Sequence, residues 1–473
     1  MLSRKQGRAN LEIDRKFDVV VVGGGNAALT AAITAAEENR SKKVLLIERA
    51  PREFRGGNSK YTRSIRYVHD HDNYSSGPYN KNEYIADIEK ATKGYTTKEI
   101  LEKVVTESAD LPAWMKQHGI TLHHAVRGAF HYSQANAFIM GGGKQLVNTY
   151  YYDLEKLGVK ILYETCVDSF SQDRNGILIK VSRNGSSGEI YASSAVIASG
   201  GYEANLEWLR EGYGSAIDNS VVRGNKYNDG IPLKKLFELG AEQIGEPNQA
   251  HWTAVDGRAP KYDGGFVTRI DLIPLGIVVN KNCKRFYDEG EDLWTKRYVL
   301  WGHLVRDQPD QVAYVIIDSK MLGETLMPMY KPYSGNTLGD LAVKLGISPE
   351  NLIKTVNEFN EHVPESAKYD LMRLDGSSTS GLDPNKSNWS RKIDKPPYYA
   401  WPLKPGITFT YLSVKINTKS QIFLKSGGLL ENFYAAGELT SGNVYGRGYV
   451  GGTGLVIGSV TGITAGKEAM LDA

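Results

Sequence analysis

The stretch "FDVVVVGGGNAALTAAITAAEENRSKKVLLIER" (17–49) constrains this chain more than any other. Residues 17–22 form a β-branched run with no polar alternation, the pattern of a strand buried on both faces. Gly23-Gly24-Gly25-Asn26-Ala27-Ala28 fits GxGxxG/A, an alanine-rich helix is expected to about residue 39, and a second buried strand over 43–47 ends at Glu48. In such a turn Gly23 permits the tight bend, and Gly25 lets the backbone approach a pyrophosphate. Ala28 lets helix and strand pack closely, and the helix N-terminus favours the anion. Glu48 stands where an acid accepts hydrogen bonds from a ribose, which argues against a 2′-phosphate and so against NADP. Dinucleotide binding follows, with FAD and NAD both open at this point.

The other end of the chain separates them. Residues 433–462 read "FYAAGELTSGNVYGRGYVGGTGLVIGSVTG": a short strand, Gly437-Glu438, a glycine-dense loop, and an apolar helix entered at Gly452-Thr453-Gly454-Leu455. One βαβ unit handles the ADP half of a cofactor. A second helix N-terminus, remote in sequence, suits the electron-rich ring of a flavin, which NAD enzymes do not need to hold. FAD is the expected cofactor.

Composition narrows the class further. A net charge of +3 over 473 residues argues against a nucleic-acid partner. Two cysteines, Cys166 and Cys283, exclude a CxxC redox pair and a cysteine zinc site, and no metal is expected. His123-His124 and His69 with His71 have spacings that a metal site could use, but with no cysteine or acid cluster beside them they read as loop histidines. No apolar run reaches the roughly 18 residues of a membrane span. The polar opening "MLSRKQGRANLEIDRK" has no secretory core, so a short extension on a cytoplasmic protein is expected.

Both ends of the chain resemble the fumarate reductase/succinate dehydrogenase flavoprotein superfamily. The resemblance rests on the Gly-rich opening, "GGNS" after the second strand, "ASGGY" (198–202) and the terminal "AAGE…GG.G…G". The likeness is closer still to FAD-dependent tricarballylate dehydrogenases. "RGGNSKYTRSIRYVHD" (55–70), "KRFYDEGEDLWTKRY" (284–298) and "PGITFTYLSVKIN" (405–417) carry it, and it covers most of the chain. It implies an α/β fold: a split Rossmann-like FAD-binding domain with an inserted α+β cap. The FAD-binding parts are expected over 12–250 and 406–473, with the cap over 251–405. The strands over 158–167 and 177–183 read as an antiparallel meander, and Ser348 with Pro349 starts a helix over 348–363.

The resemblance also implies the site. Arg49, Gly57, Asn58, Ser59, Val167, Ser199 and Gly200 join the two Gly-rich turns around FAD, and Arg63 faces phosphate or acidic substrate. His251 in "NQAHWT" and Arg447 in "GNVYGRGYVGG" would hold substrate carboxylates. Arg297 matches the family's proton-transfer arginine, with Lys296 and Arg285 as alternatives because the local spacing differs. Phe409-Thr410 replaces the His-Thr pair of fumarate reductases, which points to another substrate, with Thr410 still able to donate a hydrogen bond. Residues 131–147 are expected near the flavin, with Lys144 either contacting it or capping a solvated turn. The segment that tethers FAD through a histidine in succinate dehydrogenases has Lys60 and Tyr61 here, so noncovalent FAD is expected.

The implied reaction is α,β-dehydrogenation of a small carboxylate or its reverse, with tricarballylate to cis-aconitate leading. Electrons would pass to a separate iron–sulfur or quinone-linked acceptor. A fumarate- or urocanate-type alkene reductase and a 3-ketosteroid dehydrogenase-like enzyme are rival readings. The 28 tyrosines keep the latter in play. A flavin-binding electron-transfer subunit without its own substrate is a third.

Overall fold

The structure is a computed structural model and describes residues 14–75, 77–124, 135–262, 268–324, 328–365, 369–371 and 373–473. Residues 1–13 of the expected N-terminal extension and residues 131–134 lie outside that set.

The valine run forms strand β1 (Lys16–Val22), the glycines turn it into helix α1 (Asn26–Glu38), and strand β2 (Val44–Ile47) returns beside it in parallel. On its other side β1 pairs in parallel with strand Ser186–Ile197, Val20 meeting both Leu45 and Ala195. Strand Leu429–Ala435 lies beyond Ser186–Ile197, also parallel, so the far end of the chain completes the sheet. β-Branched residues serve here because both faces are covered.

The helix pair on this sheet explains three glycines. The C-terminal helix Thr453–Leu471 crosses α1 at Gly458, Gly462 and Gly466, spaced four apart on one face. A Cβ on Gly462 would lie 2.2 Å from Thr30 Oγ1 and 2.5 Å from the Ala27 carbonyl oxygen. One on Gly466 would lie 2.2 Å from the Ala31 carbonyl oxygen. Close approach of the two helices therefore depends on the missing side chains. No helix among the described residues is long and apolar enough to cross a membrane.

The expected strand over 158–167 is two elements. Lys160–Leu162 is a parallel edge strand on β2, and Cys166–Asp173 begins an antiparallel meander through Gly176–Arg183 into Ser186–Ile197. Glu164, at φ 55°, turns the chain between them. Helices Lys81–Thr92, Lys98–Glu107 and Leu111–Gln117 pack on the same domain.

The second layer is a six-stranded sheet centred on Tyr398–Thr410, whose residues 403–410 pair with Ala250–Asp256 and whose residues 398–403 pair with Ala313–Asp318 on the other side. The long strand runs unbroken through the expected 405/406 boundary, and Val221–Val222 adds to it from before residue 251. The hydrophobic cores divide inside these strands: Trp252 and Ile407 belong to the nucleotide-fold core, Ala254 and Leu403 to the cap. Helix Pro349–Glu361 starts as read, with Ser348 Oγ accepting from the Asn351 N–H at 3.2 Å and Pro349 in the first turn.

Candidate active site

One continuous cavity runs between the two layers. At one end lie Gly23, Gly25, Asn26, Ala27, Glu48, Arg49 and Val167; along its length lie Gly57, Asn58, Ser59, Ser199 and Gly200. Gly437, Glu438, Gly452, Gly454 and Leu455 line it from the C-terminal side, and His251 from the cap. Two segments more than 400 residues apart, as judged by the 429-residue separation of Asn26 and Leu455, thus face one space.

Both helix N-termini at this cavity lack a side-chain cap: Gly25 precedes α1, and Gly452 precedes the C-terminal helix. Their N–H groups and partial positive charge are available to a ligand. Gly23 has φ 126° and a Cβ there would lie 2.2 Å from the Ala198 carbonyl oxygen, so the turn requires glycine. The buried Asn26 Oδ1, Asn136 Oδ1 and Ser199 Oγ have no hydrogen-bond partner in the protein. Burial raises the Glu48 carboxyl above its usual value, while the Ala50 N–H at 2.9 Å and the Gly56 N–H at 3.3 Å offset part of that cost. Arg49 lines the cavity and pairs with Asp229.

Asn58 and Ser59 do more than face a cofactor. Ser59 Oγ accepts from the Asn26 N–H at 2.9 Å, pinning the α1 turn. Asn58 Nδ2 donates to the Thr408 carbonyl at 2.8 Å and to Glu203, while its Oδ1 accepts from the Asn225 N–H at 3.0 Å. It ties the cap strand to the nucleotide fold. Replacing Asn58 with leucine strands three partners, each worth about 1–3 kcal/mol when left unpaired in a buried site. Purified Asn58→Leu is expected to have lost its FAD and several degrees of thermal midpoint. Full occupancy in the absorbance spectrum would count against this role.

Behind Asn58 lies a pair of carboxyls that the motif reading did not foresee. Glu203 Oε1 accepts from Asn228 Nδ2 at 2.7 Å as well as from Asn58. Glu438 Oε1 accepts from the Thr410 N–H at 2.7 Å and from Thr410 Oγ1 at 3.2 Å. The two acids interact directly; burial pushes Glu203 up to about 7, and burial with the Glu203 charge pushes Glu438 well above the usual carboxylate range. The pair holds a proton at neutral pH because two adjacent buried carboxylates cannot both ionise.

At the cap end four of the expected cations are absent from the lining, whereas Arg63, expected to face phosphate or acidic substrate, is in it. Arg297 pairs with Glu291 at 2.6 Å, Arg285 with Glu289 at 2.6 Å, and Lys296 with Asp87 at 3.0 Å. The Arg447 guanidinium stacks 4.1 Å above the Tyr95 ring. None of these four lines the cavity. Thr410 is held against Glu438, Ala28 packs in the α1 core, and Thr453 Oγ1 accepts from Tyr84, so these three stand behind the wall as well. Local motifs bring such side chains near a site, but the turn of a short helix such as Trp294–Arg297 decides which way each one points.

The guanidiniums that line this end belong to Arg63, Arg223 and Arg269. Arg269 forks onto Asp271 at 2.6 and 2.8 Å, and Arg63 lies 3.9 Å from the same carboxylate. His251 is stacked on Tyr449 at 4.0 Å, with ring planes 9° apart, and its buried Nε2 has no partner. Burial and the charges of Arg223 and Arg269 hold its imidazole well below the ordinary pKa, so it is neutral at physiological pH. Tyr298 and Phe409 complete the wall. The signal for Arg223 was present in "VVRGNKYNDG" (221–230), a Gly/Asn-rich loop shortly after "ASGGY". Lys144 is not among the cavity residues. Among the described residues no group of three or more His, Cys, Asp or Glu is arranged to hold a metal.

The sheet, the glycine turn and the two open helix ends define a dinucleotide-binding flavoprotein fold. Residues 18–455 match the FAD binding domain model, and the chain belongs to that family as an FAD-dependent oxidoreductase. It is 25% identical over 450 residues to a probable fumarate reductase of Shewanella frigidimarina, covering 90% of this chain and 71% of that protein. It is 25% identical over 347 residues to 3-oxosteroid 1-dehydrogenase of Mycobacterium tuberculosis, covering 67% and 61%. NADH:acrylate oxidoreductase of Vibrio harveyi is 28% identical over 294 residues, 58% of this chain, and this chain spans only 26% of its length. The open conformation of a flavocytochrome c3 fumarate reductase superposes with a TM-score of 0.76 at 22% identity, covering 98% of this chain and 79% of that one.

Proposed function

We propose that this protein dehydrogenates, or in reverse reduces, the carbon–carbon bond next to a carboxylate, with tricarballylate to cis-aconitate as the leading reaction. The observation that carries this reading is the sharing of one cavity by two uncapped helix ends and, farther along, three arginines. Arginine suits the second zone because its planar fork pairs with carboxylates. The reductases of fumarate and acrylate among the relatives support the same class of substrate.

FAD, when bound, supplies the acceptor or donor of a hydride. The Gly23–Asn26 turn and Glu48 would hold its nucleotide half, and the Gly452–Leu455 helix mouth its ring. Arg223 and Arg269 would hold the substrate carboxylate, and neutral His251 would offer a hydrogen bond without adding charge. The cap strands exclude water from the space above. Proton movement at the neighbouring carbon falls to a group in the lining, where Arg223, Tyr298 and Tyr449 carry transferable protons. Arg297, paired with Glu291 outside the lining, is a poor candidate for that step. Electrons would leave to, or arrive from, a separate iron–sulfur or quinone-linked partner.

The aromatic wall of Phe409, Tyr298 and Tyr449 favours one second reading, a dehydrogenase of a bulkier ketone such as a 3-ketosteroid. Anaerobic titration of the holoenzyme with tricarballylate, succinate and a 3-ketosteroid separates the two. Tricarballylate is expected to bleach the flavin. Bleaching by the steroid alone supports the second reading, and a spectrum that none of them perturbs supports an electron-transfer subunit.

A further inference from the structure

Arg223 differs from the other buried arginines of the molecule. Arg66 lies 3.5 Å from Asp87 and Arg269 lies 2.6 Å from Asp271, so each has an acid beside it. Arg223 is only 7% exposed, yet no ion pair among the described residues engages it. Its Nη1 donates to Thr408 Oγ1 at 3.3 Å, and its buried Nε has no partner. The backbone is not free to carry the side chain elsewhere: the Arg223 N–H donates to the Ile407 carbonyl at 2.7 Å, directly after the Val221–Val222 strand joins the cap sheet.

A desolvated guanidinium without an acid in ion-pair contact is costly to fold around, and the more distant Asp271 offsets only part of that cost. Arg63 and Arg269 increase that cost, and together with burial they push Arg223 down to about 9. The arrangement is one that an incoming anion stabilises. His251, which is neutral and so adds no charge, lines the same end of the cavity, its buried Nε2 without a partner. Nη1 is engaged by Thr408 and Nε is buried, which leaves Nη2 as the guanidinium nitrogen able to meet an oxygen of a carboxylate.

We propose that Arg223 is the specificity-determining anchor for a carboxylate of the substrate. The assignment rests on the carboxylate reading of the function and moves the anchor away from Arg447, the residue that the motif pattern suggests. It also predicts discrimination: an uncharged ketone gains nothing from Arg223 and leaves its charge uncompensated.

The test is an anaerobic titration of the FAD-loaded enzyme with tricarballylate and with succinate, read by flavin absorbance, for the parent, Arg223→Met and Arg223→Lys. Arg223→Met is expected to weaken the response to tricarballylate about 100-fold or more, with FAD content and thermal midpoint kept. Arg223→Lys, which keeps the charge but not the fork, is expected to fall between. A Met variant that titrates like the parent overturns the anchor and leaves the proposed function standing. A parent that ignores both acids but answers to 4-androstene-3,17-dione overturns both. If neither variant retains FAD, the parent decides: the trimethyl ester of tricarballylate, which carries no carboxylate charge, is expected to perturb the flavin about 100-fold more weakly than the acid, and equal affinity for acid and ester overturns the assignment.

Discussion

Gly462→Val is expected to yield little folded, flavin-loaded protein. The position lies where α1 and the C-terminal helix touch through bare backbone, and a Cβ would meet Thr30 Oγ1 at 2.2 Å and the Ala27 carbonyl at 2.5 Å. Thr30 cannot simply swing away, because it is fully buried and its hydroxyl donates to Ala27. The helices must separate, which also breaks the bonds from Asn26 Nδ2 to the Leu455 carbonyl at 3.1 Å and to Ser459 Oγ at 3.0 Å. Those contacts hold the two helix mouths at the cavity in register. Even Gly462→Ala, which gains about 1 kcal/mol in helix propensity, is expected to lose on the order of 1–3 kcal/mol net to overpacking. Thermal unfolding and the FAD-to-protein absorbance ratio measure both effects. The exposed neighbour Lys467→Ala is the control, expected within about 0.5 kcal/mol of the parent. Parental stability of the valine variant would show that the helices have room that the geometry denies them.

The second large effect depends on pH. Protein stripped of FAD is expected to lose stability as pH rises from about 4.5 through about 7, and Glu203→Gln is expected to flatten that loss. Glu203 has a folded pKa raised above its unfolded value by burial, so the folded state binds its proton more tightly. Below pH 4.5 both states are protonated and the fold keeps its full stability. Between that value and about 7 the unfolded chain releases the proton first, and the difference is lost. A shift of this size corresponds to roughly 3 kcal/mol for Glu203 alone, and Glu438 shifts in the same direction. In Glu203→Gln the amide oxygen can still accept from Asn58 and Asn228, and the amide nitrogen can donate to Glu438. Denaturant midpoints at pH 5 and pH 8 measure the difference between parent and variant. An identical pH slope in the two proteins would mean that the carboxyl pair does not share a proton.

Much of the nucleotide fold was legible because its signals are local. A run of valines followed by three glycines and an alanine-rich segment dictates strand, turn and helix over 16–38, and the observed ends differ by a residue or so from those read. The serine cap at Ser348 was legible for the same reason. The segment over 158–167 was not, because two strands separated by a turn at Glu164 have the same apolar texture as one. Which neighbour each half pairs with is decided by the sheet that receives it.

The site divides in the same way. Asn58 and Ser59 were expected at the cofactor and they do line the cavity, but their hydrogen bonds go to Asn26, Thr408, Glu203 and Asn225 within the protein. Arg297 was singled out from a motif whose helix turns it onto Glu291. Among the described residues Arg223, in a loop whose composition stands out only for its glycines and asparagines, is the buried arginine with no ion pair.

Sequence by itself determined the two glycine-rich turns, the helices they feed and the need for a long cofactor between them, because backbone conformation at a glycine and burial of a valine run are properties of a few adjacent residues. Tertiary structure alone decided the charges. Glu203 meets Glu438, and Arg223 meets Arg269 and Arg63, across separations that no local pattern encodes. The protonation of each group is set by what burial removes and what the facing element supplies.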